Sequence, residues 1–109
     1  MVVYIIKNKE NHEDSVVYIG STQTPLWNRW TQHLAHYRQY KRTGKMKYSS
    51  AIVIEKYGID GCVIEKLESV PSNENMYDKE WFYIQKYKVF CVNKVRPAGI
   101  SDKSVPYRL

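Results

Sequence analysis

Two tyrosines, an arginine, a histidine and a glutamate could share one reaction, and they stand at Tyr4, Tyr18, Arg29, His33 and Glu80. Arg29 and His33 are four residues apart, so they project from the same face if that segment is helical. Hydrolysis of a phosphodiester needs an activated water, a cation on the phosphate oxygens and help for the leaving oxygen. Together these side chains predict such chemistry, although each one alone is also typical of a packing or surface residue.

Each of these side chains suits one of those tasks. The planar, permanently charged guanidinium of Arg29 suits phosphate oxygens. The carboxylate of Glu80 suits Mg²⁺, which often takes one or two protein carboxylates and otherwise water and phosphate oxygens. A tyrosine with its ordinary pKa of roughly 10 is a poor base. It becomes a base if neighbouring cations favour the phenolate or if His33 accepts its proton.

Other catalytic and binding devices are missing from the sequence. There is no GxGxxG run and no phosphate-binding P-loop. His33 and His36 could share a helix face, but no third soft ligand stands near them, so zinc is not predicted. Cys62 and Cys91 form no CxxC pair and are expected to be buried thiols, with a disulfide as the minor alternative.

Two β-branched and aromatic runs near the start of the chain predict the strands that carry the tyrosines. They cover residues 2–6 and 16–20, and the polar stretch between them predicts a loop and therefore an antiparallel hairpin. Opposed positions are expected to sum to about 22, which places Tyr4 near Tyr18 on one face of the sheet.

The stretch after the hairpin predicts the helix that carries the arginine and the histidine. Thr24 is the expected N-cap and Pro25 the first helical residue, and the helix is expected to end at about Tyr40. An apolar stripe at helical spacing predicts the packed face, formed by Leu26, Trp30, Leu34 and Tyr37. Residues 38–47 are predicted to form a basic loop.

The remaining segments complete a small mixed fold. A second helix is expected from Ser49 or Ser50 to Tyr57, with Gly58 just after its end. A third strand is predicted over residues 62–67, a third helix from residues 71–73 to about Lys86, and a short extended piece over residues 89–95. The predicted fold class is α/β, more closely α+β: a small antiparallel sheet flanked by helices, in the order β-β-α-α-β-α plus the extended element.

The charge is segregated along the chain. Its 17 Lys and Arg residues stand against 11 Asp and Glu residues, which gives a net charge of +6. No acidic residue lies between Ser15 and Ile54, whereas six basic residues do: Arg29, Arg38, Lys41, Arg42, Lys45 and Lys47. Such a block predicts a polyanionic partner such as nucleic acid, bound with release of counterions. The alternative is a solvated basic face kept for solubility.

Length and composition bound the class of protein. With 109 residues the chain is long enough for one domain, and its 43% hydrophobic and 26% charged content excludes general disorder. It has no apolar run near the ~20 residues of a membrane span, and the run from Met1 to Ile6 is too short for a signal peptide. We therefore expect an intracellular protein, with one domain over residues 1–95 and an arm or disordered tail over residues 96–109.

Several short runs, taken in order, match the motifs of one family. They are Val2-Val3-Tyr4, Tyr18-Ile19-Gly20-Ser21-Thr22, Asn28-Arg29-Trp30 with His33, Glu80-Trp81-Phe82-Tyr83-Ile84, and Asn93. In spacing and order the chain resembles the GIY-YIG nuclease superfamily over about residues 1–95. Val2 and Val3 replace the glycine and isoleucine of the family's first triplet, and the Tyr4 hydroxyl depends on neither of them.

The resemblance implies a three-stranded antiparallel sheet and a metal-dependent endonuclease that uses one Mg²⁺ or Mn²⁺ ion and leaves 5′-phosphate and 3′-hydroxyl ends. By this resemblance, Tyr4 would be the general base or would position the water, with His33 as its hydrogen-bond partner. Tyr18 would contact the phosphate or the water, and Arg29 would stabilise the charge of the transition state. Glu80 would bind the metal, and Asn93 would support the metal site or the phosphate. Gly20 would allow close approach of the backbone. Tyr48 stands where some relatives carry a further histidine.

The same resemblance implies DNA, duplex or branched, as the substrate, with no membrane partner. The expected contacts to its backbone are the basic residues Arg38, Lys41, Arg42, Lys45 and Lys47. Tyr37 and Tyr40 stand among them and either stack on unpaired bases or anchor the loop. Since the chain has little room for further DNA-binding elements, we expect low sequence specificity, selection of branched, nicked or flapped structures, or a protein partner that supplies specificity.

Two other classes of function stay open at this point. One is a nucleic-acid-binding module that keeps the fold without efficient catalysis, although the filled polar positions favour an enzyme. The other is a protein-interaction domain whose basic block is only a surface. DNA repair, a mobile element and a virus all fit as the biological setting of a nuclease.

Overall fold

A three-stranded antiparallel sheet with helices on both of its faces forms the centre of the molecule. The computed structural model describes residues 1–10, 15–88 and 90–93. The strands are β1 (Val2–Asn8), β2 (Tyr18–Thr22) and β3 (Cys62–Ser69), and β1 lies between the other two. The helices are α1 (Leu26–Thr43), α2 (Ser50–Tyr57) and α3 (Met76–Lys86), with one turn of 3-10 helix at Ile59–Gly61. The predicted fold class and element order are confirmed.

The central strand divides the core into two parts. Successive side chains of a strand point to opposite faces. Val3 and Ile5 therefore enter the cluster that includes Met76 and Ile84 of α3. Tyr4 and Ile6 enter a second cluster on the opposite face, with Val53 and Ile54 of α2 and, from α1, the predicted stripe of Leu26, Trp30, Leu34 and Tyr37.

The register of the hairpin differs from the prediction by two residues. Tyr4 pairs with Gly20, and Ile6 pairs with Tyr18, so opposed positions sum to 24 instead of 22. A shift of two residues keeps every side chain on its face, whereas a shift of one would reverse it. Tyr4 and Tyr18 consequently still share a face, with ring centroids 6.3 Å apart.

Helix α1 is longer than predicted and begins one residue later. Pro25 is its flanking N-terminal residue, and the Thr24 hydroxyl is engaged with Thr22 instead of capping the helix. The helix continues to Thr43, so the prediction of a loop over residues 38–47 is wrong for its first six residues. It ends at Gly44, whose φ of 77° is the left-handed conformation that glycine adopts without strain, and whose N–H donates to Tyr40 O.

The later elements match the prediction more closely. Helix α2 begins at Ser50 and ends at Tyr57 before Gly58, as predicted. Strand β3 extends two residues beyond its predicted end. Helix α3 begins at Met76, later than predicted, because the Asn75 side chain accepts a hydrogen bond from Tyr77 N–H and caps the helix there.

A short segment after α3 lies along the outer edge of β2. Val17 N–H donates to Phe90 O, Val92 N–H donates to Val17 O, and Cys91 forms an isolated parallel bridge with Val17. This is part of the predicted extended element, while residue 89 and residues 94–109, including the predicted tail, lie outside the described residues. Cys62 and Cys91 are buried free thiols, as predicted. Within the described ranges, no helix is both long and apolar enough to cross a membrane.

Candidate active site

Four side chains from three elements form one hydrogen-bonded chain on the α1 and α2 face of the sheet. The Tyr4 hydroxyl lies 2.6 Å from His33 Nε2, and His33 Nδ1 lies 2.7 Å from Ser50 Oγ. Arg29 Nε donates to the Tyr4 hydroxyl at 3.0 Å. Tyr4, His33 and Ser50 are 0%, 1% and 2% exposed, so these bonds satisfy polar groups that water does not reach.

Burial governs the protonation of this chain. Burial, followed by the positive charges of Arg29 and His36, lowers the pKa of His33 to about 3, so the imidazole is neutral at physiological pH. Burial also raises the pKa of Tyr4 to about 12 and outweighs the opposite effect of Arg29. Of the two routes by which Tyr4 could act as a base, the one through a phenolate at rest therefore lacks support here.

Tyr18 presents its hydroxyl differently from Tyr4. Its ring stands edge-on to His33, with centroids 5.2 Å apart, and among the described residues its hydroxyl has no hydrogen-bond partner. Burial raises the pKa of Tyr18, so the hydroxyl keeps its proton. Tyr18 is therefore a hydrogen-bond donor available to a ligand at this site.

Gly20 leaves the space that the Tyr4 ring occupies. A Cβ atom at this position would lie 2.5 Å from Tyr4 Cζ, still closer to the Tyr4 hydroxyl oxygen, and 3.0 Å from the Tyr18 ring. No side chain fits there without displacing a tyrosine. The glycine thus serves the close approach of the strand backbone to the site, which is the kind of role that the family resemblance implies.

Arg29 is held from several sides while remaining only partly buried. Besides its bond to Tyr4, its Nη1 donates to Gln32 Oε1 at 2.7 Å. Its guanidinium carbon lies 4.9 Å from the centroid of the Tyr48 ring, within the range of a cation–π contact. Tyr48 also lies edge-on to His33, with centroids 5.4 Å apart. The structure therefore brings Tyr48, whose contribution the sequence left open, into the cluster.

Glu80 reaches the site from the opposite face of the sheet. Its carboxylate accepts a hydrogen bond of 2.5 Å from the Ser21 hydroxyl at the end of β2. Burial raises the pKa of Glu80, while Ser21 and the positive charge of Arg29 lower it. The neighbouring Lys79 does not neutralise Glu80, since it pairs with Glu68 at 3.4 Å.

The donor set at Glu80 fits a hard cation with few protein ligands. In the described part of the chain, no group of three or more His, Cys, Asp or Glu side chains is placed to hold a metal ion. A half-buried carboxylate nevertheless attracts a cation, and Mg²⁺ commonly binds one or two carboxylates together with water and phosphate oxygens. The Glu80 carboxylate is thus a hard oxygen ligand of the kind that divalent cations take.

Asn93 holds the strand that carries Tyr18 instead of contacting Glu80. Its Nδ2 donates to Ile19 O at 2.8 Å, and its Oδ1 accepts from Ile19 N–H at 2.9 Å. The Cys91 thiol also donates to Oδ1 at 3.1 Å. The amide side chain thus replaces a peptide group of a neighbouring strand, and its contacts place it as a positioning residue for β2.

The predicted DNA-contacting residues are exposed on the second half of α1 and the loop that follows: Arg38, Lys41, Arg42, Lys45 and Lys47. Lys41 differs from the others because it forms an ion pair of 2.9 Å with Glu55 of α2. The Tyr37 hydroxyl donates to the same carboxylate at 2.6 Å, so Tyr37 anchors α1 to α2. The segregation of charge along the sequence is therefore only partly preserved in space.

Two serines of this site were not identified from the sequence. In the sequence, Ser21 is only part of the family motif and Ser50 only a predicted start of a helix, yet the two residues bind Glu80 and His33 respectively. A serine carries no sequence signal of its own for such a role. The helix position of Ser50, on a face turned toward α1, is the only feature that could have suggested it.

Comparison with known proteins identifies one family. The family model described as the GIY-YIG catalytic domain matches residues 1–94. No curated protein and no solved structure matches the chain significantly. The matched range includes β1 to β3, α1 to α3 and the side chains described above, from Tyr4 to Asn93. Since the match covers most of the 109 residues, this chain belongs to the GIY-YIG family and has a nuclease fold.

Proposed function

We propose that this protein is a metal-dependent DNA endonuclease that hydrolyses phosphodiester bonds by in-line attack of water and leaves 5′-phosphate and 3′-hydroxyl ends. The observation that supports this most directly is that Arg29 bonds to Tyr4, that the Tyr18 ring lies beside the Tyr4 ring, and that the charge of Arg29 acts on the pKa of Glu80. Two donors, one acceptor and one carboxylate are thereby close neighbours. Family membership supports a nuclease fold independently of that geometry.

Arg29 and Tyr18 are the groups that we assign to the phosphate. The guanidinium offers a permanent charge and further N–H donors, and the Tyr18 hydroxyl offers a proton that burial keeps in place. Donors that are fixed before the reaction stabilise the developing charge without reorganisation. Arg29 and Tyr18 are therefore expected to bind the transition state more tightly than the substrate.

Tyr4 is the group that we assign to the attacking water. At rest its hydroxyl is fully buried, with one side occupied by Arg29 Nε and the other by His33 Nε2. When the guanidinium turns to a phosphate, the phenol oxygen regains a lone pair that can accept a hydrogen bond from water. Substrate binding and water positioning are thus coupled through the single hydrogen bond between Arg29 and Tyr4.

Glu80 is the residue that would hold Mg²⁺ or Mn²⁺. A bound divalent ion would neutralise phosphate charge and lower the pKa of water. Ser21 orients the carboxylate, and Asn93 fixes the strand that carries Ser21. These two residues therefore act on the metal site through position.

The exposed basic residues of α1 and its following loop are the proposed contacts to the DNA backbone. Arg38, Arg42, Lys45 and Lys47 form no ion pair with any described residue, so they can release counterions on binding DNA. Lys41 is expected to contribute less because Glu55 already neutralises it. Contacts of this type bind phosphates without reading bases, which agrees with low sequence specificity or with selection of branched DNA.

The test is the nicking of supercoiled plasmid by the wild-type protein, Arg29→Ala and Glu80→Gln in Mg²⁺ or Mn²⁺. Loss of one donor to the transition state typically lowers the rate about 10²- to 10³-fold, and we expect a fall of this size for Arg29→Ala. Glu80→Gln removes the charge proposed to hold the metal and should abolish metal-dependent nicking. Glu74→Gln is the matched control, because Glu74 is an exposed carboxylate outside the site.

Three outcomes would contradict the proposal. Equal nicking by the wild type and Glu80→Gln would place the activity elsewhere. Salt-sensitive DNA binding by the wild type without metal-dependent turnover would indicate a nucleic-acid-binding module on the same fold. DNA binding that does not weaken between low and moderate salt would favour a protein-interaction domain, since phosphate contacts are screened.

A further inference from the structure

Ser50 is the buried end of the hydrogen-bonded chain, and the mechanism above does not use it. It is the first residue of α2, and its hydroxyl lies 2.7 Å from His33 Nδ1. It is 2% exposed and thus shielded from water. His33 is therefore held between two hydroxyl groups, one on each ring nitrogen, and its orientation is fixed.

The neutral imidazole of His33 can bind these two hydroxyls in either of two ways. If Nδ1 carries the proton, it donates to Ser50 Oγ, and Nε2 accepts from the Tyr4 hydroxyl. If Nε2 carries the proton, it donates to the Tyr4 oxygen, and the Ser50 hydroxyl donates to Nδ1. The two tautomers differ in the direction of both hydrogen bonds.

Arg29 breaks the symmetry between these tautomers. Its Nε–H is a donor in every state and is directed at the Tyr4 oxygen. This donation polarises the Tyr4 O–H and makes it a better donor. A phenol is also a stronger acid than an aliphatic alcohol and a weaker acceptor. In the alternative tautomer, the Tyr4 oxygen would accept two N–H groups, and its own buried O–H would have no acceptor among the described residues.

The geometry points to Ser50 as a positioning residue that accepts a hydrogen bond from His33 and thereby holds the imidazole in its Nδ1–H tautomer. The chain then runs in one direction, from Arg29 to Tyr4 to His33 to Ser50. With its O–H committed to His33, Tyr4 turns a lone pair toward the site. The inference rests on the proposed function for its catalytic consequence, while the tautomer itself is a property of the folded protein.

Loss of the Ser50 hydroxyl would weaken the preference for this direction of the hydrogen bonds. Without an acceptor, a buried Nδ1–H is unsatisfied, which favours transfer of the proton to Nε2. Nε2–H would then donate to Tyr4, and the Tyr4 O–H would turn toward the site in place of a lone pair. The proposed water acceptor would become a donor, although neither Tyr4 nor His33 had been changed.

The decisive measurement is the nitrogen-15 NMR spectrum of the histidine rings in the full chain without metal, assigned with His33→Gln. The chain contains three histidines, so the His33 signals can be separated from the others. We expect Nδ1 of His33 to be protonated and Nε2 to be unprotonated in the wild type and in Ser50→Thr. In Ser50→Ala we expect the share of the Nε2–H form to rise at the expense of the Nδ1–H form.

Plasmid nicking supplies the second readout. We expect kcat of Ser50→Ala to fall about 10- to 100-fold, as for other residues that orient a functional histidine, with KM unchanged because Ser50 does not touch DNA. Ser50→Thr, which keeps the hydroxyl, should restore kcat. Ser49→Ala is the matched control, because the neighbouring Ser49 side chain makes no capping hydrogen bond, and it should leave the tautomer and kcat unchanged.

The inference is overturned if wild-type His33 carries its proton on Nε2, or if Ser50→Ala keeps both the wild-type tautomer and the wild-type kcat. If Ser50→Ala fails to fold, the wild-type and Ser50→Thr spectra still decide the tautomer. A wild-type protein that shows the expected tautomer but does not nick DNA would refute the proposed function and leave the structural role of Ser50 intact.

Discussion

The two faces of the sheet are built from adjacent residues of the same strand, yet they differ in chemistry. On the α3 face, β1 contributes Val3 and Ile5 to an apolar cluster. On the α1 and α2 face, its contribution is Tyr4 and Ile6, and there the buried set includes the polar His33 and Ser50. Burial of polar groups opposes folding unless those groups form hydrogen bonds. The stability of the second face therefore depends on a complete hydrogen-bond network, whereas that of the first depends on the apolar area that it buries. The first face contributes Glu80 to the site through α3, whereas the second face contributes the tyrosines, Arg29 and His33.

Truncation of Ile5 and of Ile6 would test this contrast most strongly. Both side chains are almost fully buried, and removal of an isoleucine to alanine in such a core typically lowers the free energy of unfolding by about 2–5 kcal/mol. We expect losses in this range for both Ile5→Ala and Ile6→Ala in urea denaturation. Nicking per folded molecule should fall more in Ile6→Ala than in Ile5→Ala, because Ile6 pairs across the strands with Tyr18, whereas Ile5 affects the site only through the packing of α3, which carries Glu80. A comparable fall in Ile5→Ala would remove the distinction between the faces.

Gly20→Ala would disrupt the packing of the face that carries Tyr4 and Tyr18 by adding a single methyl group. The new Cβ would overlap Tyr4, and insertion of extra atoms into a packed core typically lowers stability by about 1–3 kcal/mol. We expect that loss in thermal or urea unfolding together with a marked fall in nicking. Gly61→Ala is the matched control, because its Cβ would meet only Tyr57 Cβ at an ordinary 3.5 Å. Full activity in Gly20→Ala would mean that the position of Tyr4 is not critical.

The neutral state of His33 should make the polar face sensitive to acid. The unfolded chain binds a proton at His33 with an ordinary pKa of about 6.5, whereas the lowered pKa in the folded protein is about 3. The unfolded state therefore binds more protons between these values, and stability falls as the pH falls through that window. Between pH 8 and pH 5 this contribution is about 2 kcal/mol. Urea midpoints of His33→Gln should depend correspondingly less on pH than those of the wild type, and equal dependence would show that His33 is not buried in its neutral form.

The apolar face could be predicted from the sequence, because the spacing of apolar residues along strands and helices directly indicates which side chains are buried. Val3 and Ile5 alternate with Tyr4 and Ile6, and such alternation specifies faces without specifying register. The predicted register of the hairpin is wrong because the register depends on how side chains of the two strands fit together. Gly20 is the residue of β2 that leaves room for the Tyr4 ring. The error of two residues left the predicted faces intact.

The end of α1 could not be predicted from apolar periodicity. Residues 38–43 are polar and basic and have no side chain that must be buried, so they resemble a loop in sequence. They remain helical because their helix propensities are favourable and Gly44 supplies the terminating conformation. Likewise, the ion pair of Lys41 with Glu55 could not be predicted without knowing that α2 packs beside α1.

Most members of the candidate site could be named from the motif, but not the residues that hold them. Arg29 and His33 follow from helical spacing, and Glu80 follows from family order. Ser21 and Ser50 act through one hydrogen bond each, and only the packing of strands and helices brings those hydroxyls to Glu80 and His33. Their roles depend on contacts between residues far apart in sequence, which local patterns do not report.

The Asn93 amide also limits how this molecule can associate with others. Strand β2 is an edge of the sheet, and the outward N–H and C=O groups of Val17 and Ile19 are already bonded to Phe90, Val92 and Asn93. Another polypeptide therefore cannot add a strand beside Tyr18, because these backbone groups are already hydrogen-bonded. The strand that bears the tyrosine is thus protected from edge-to-edge aggregation, and Asn93→Ala would expose it to that risk.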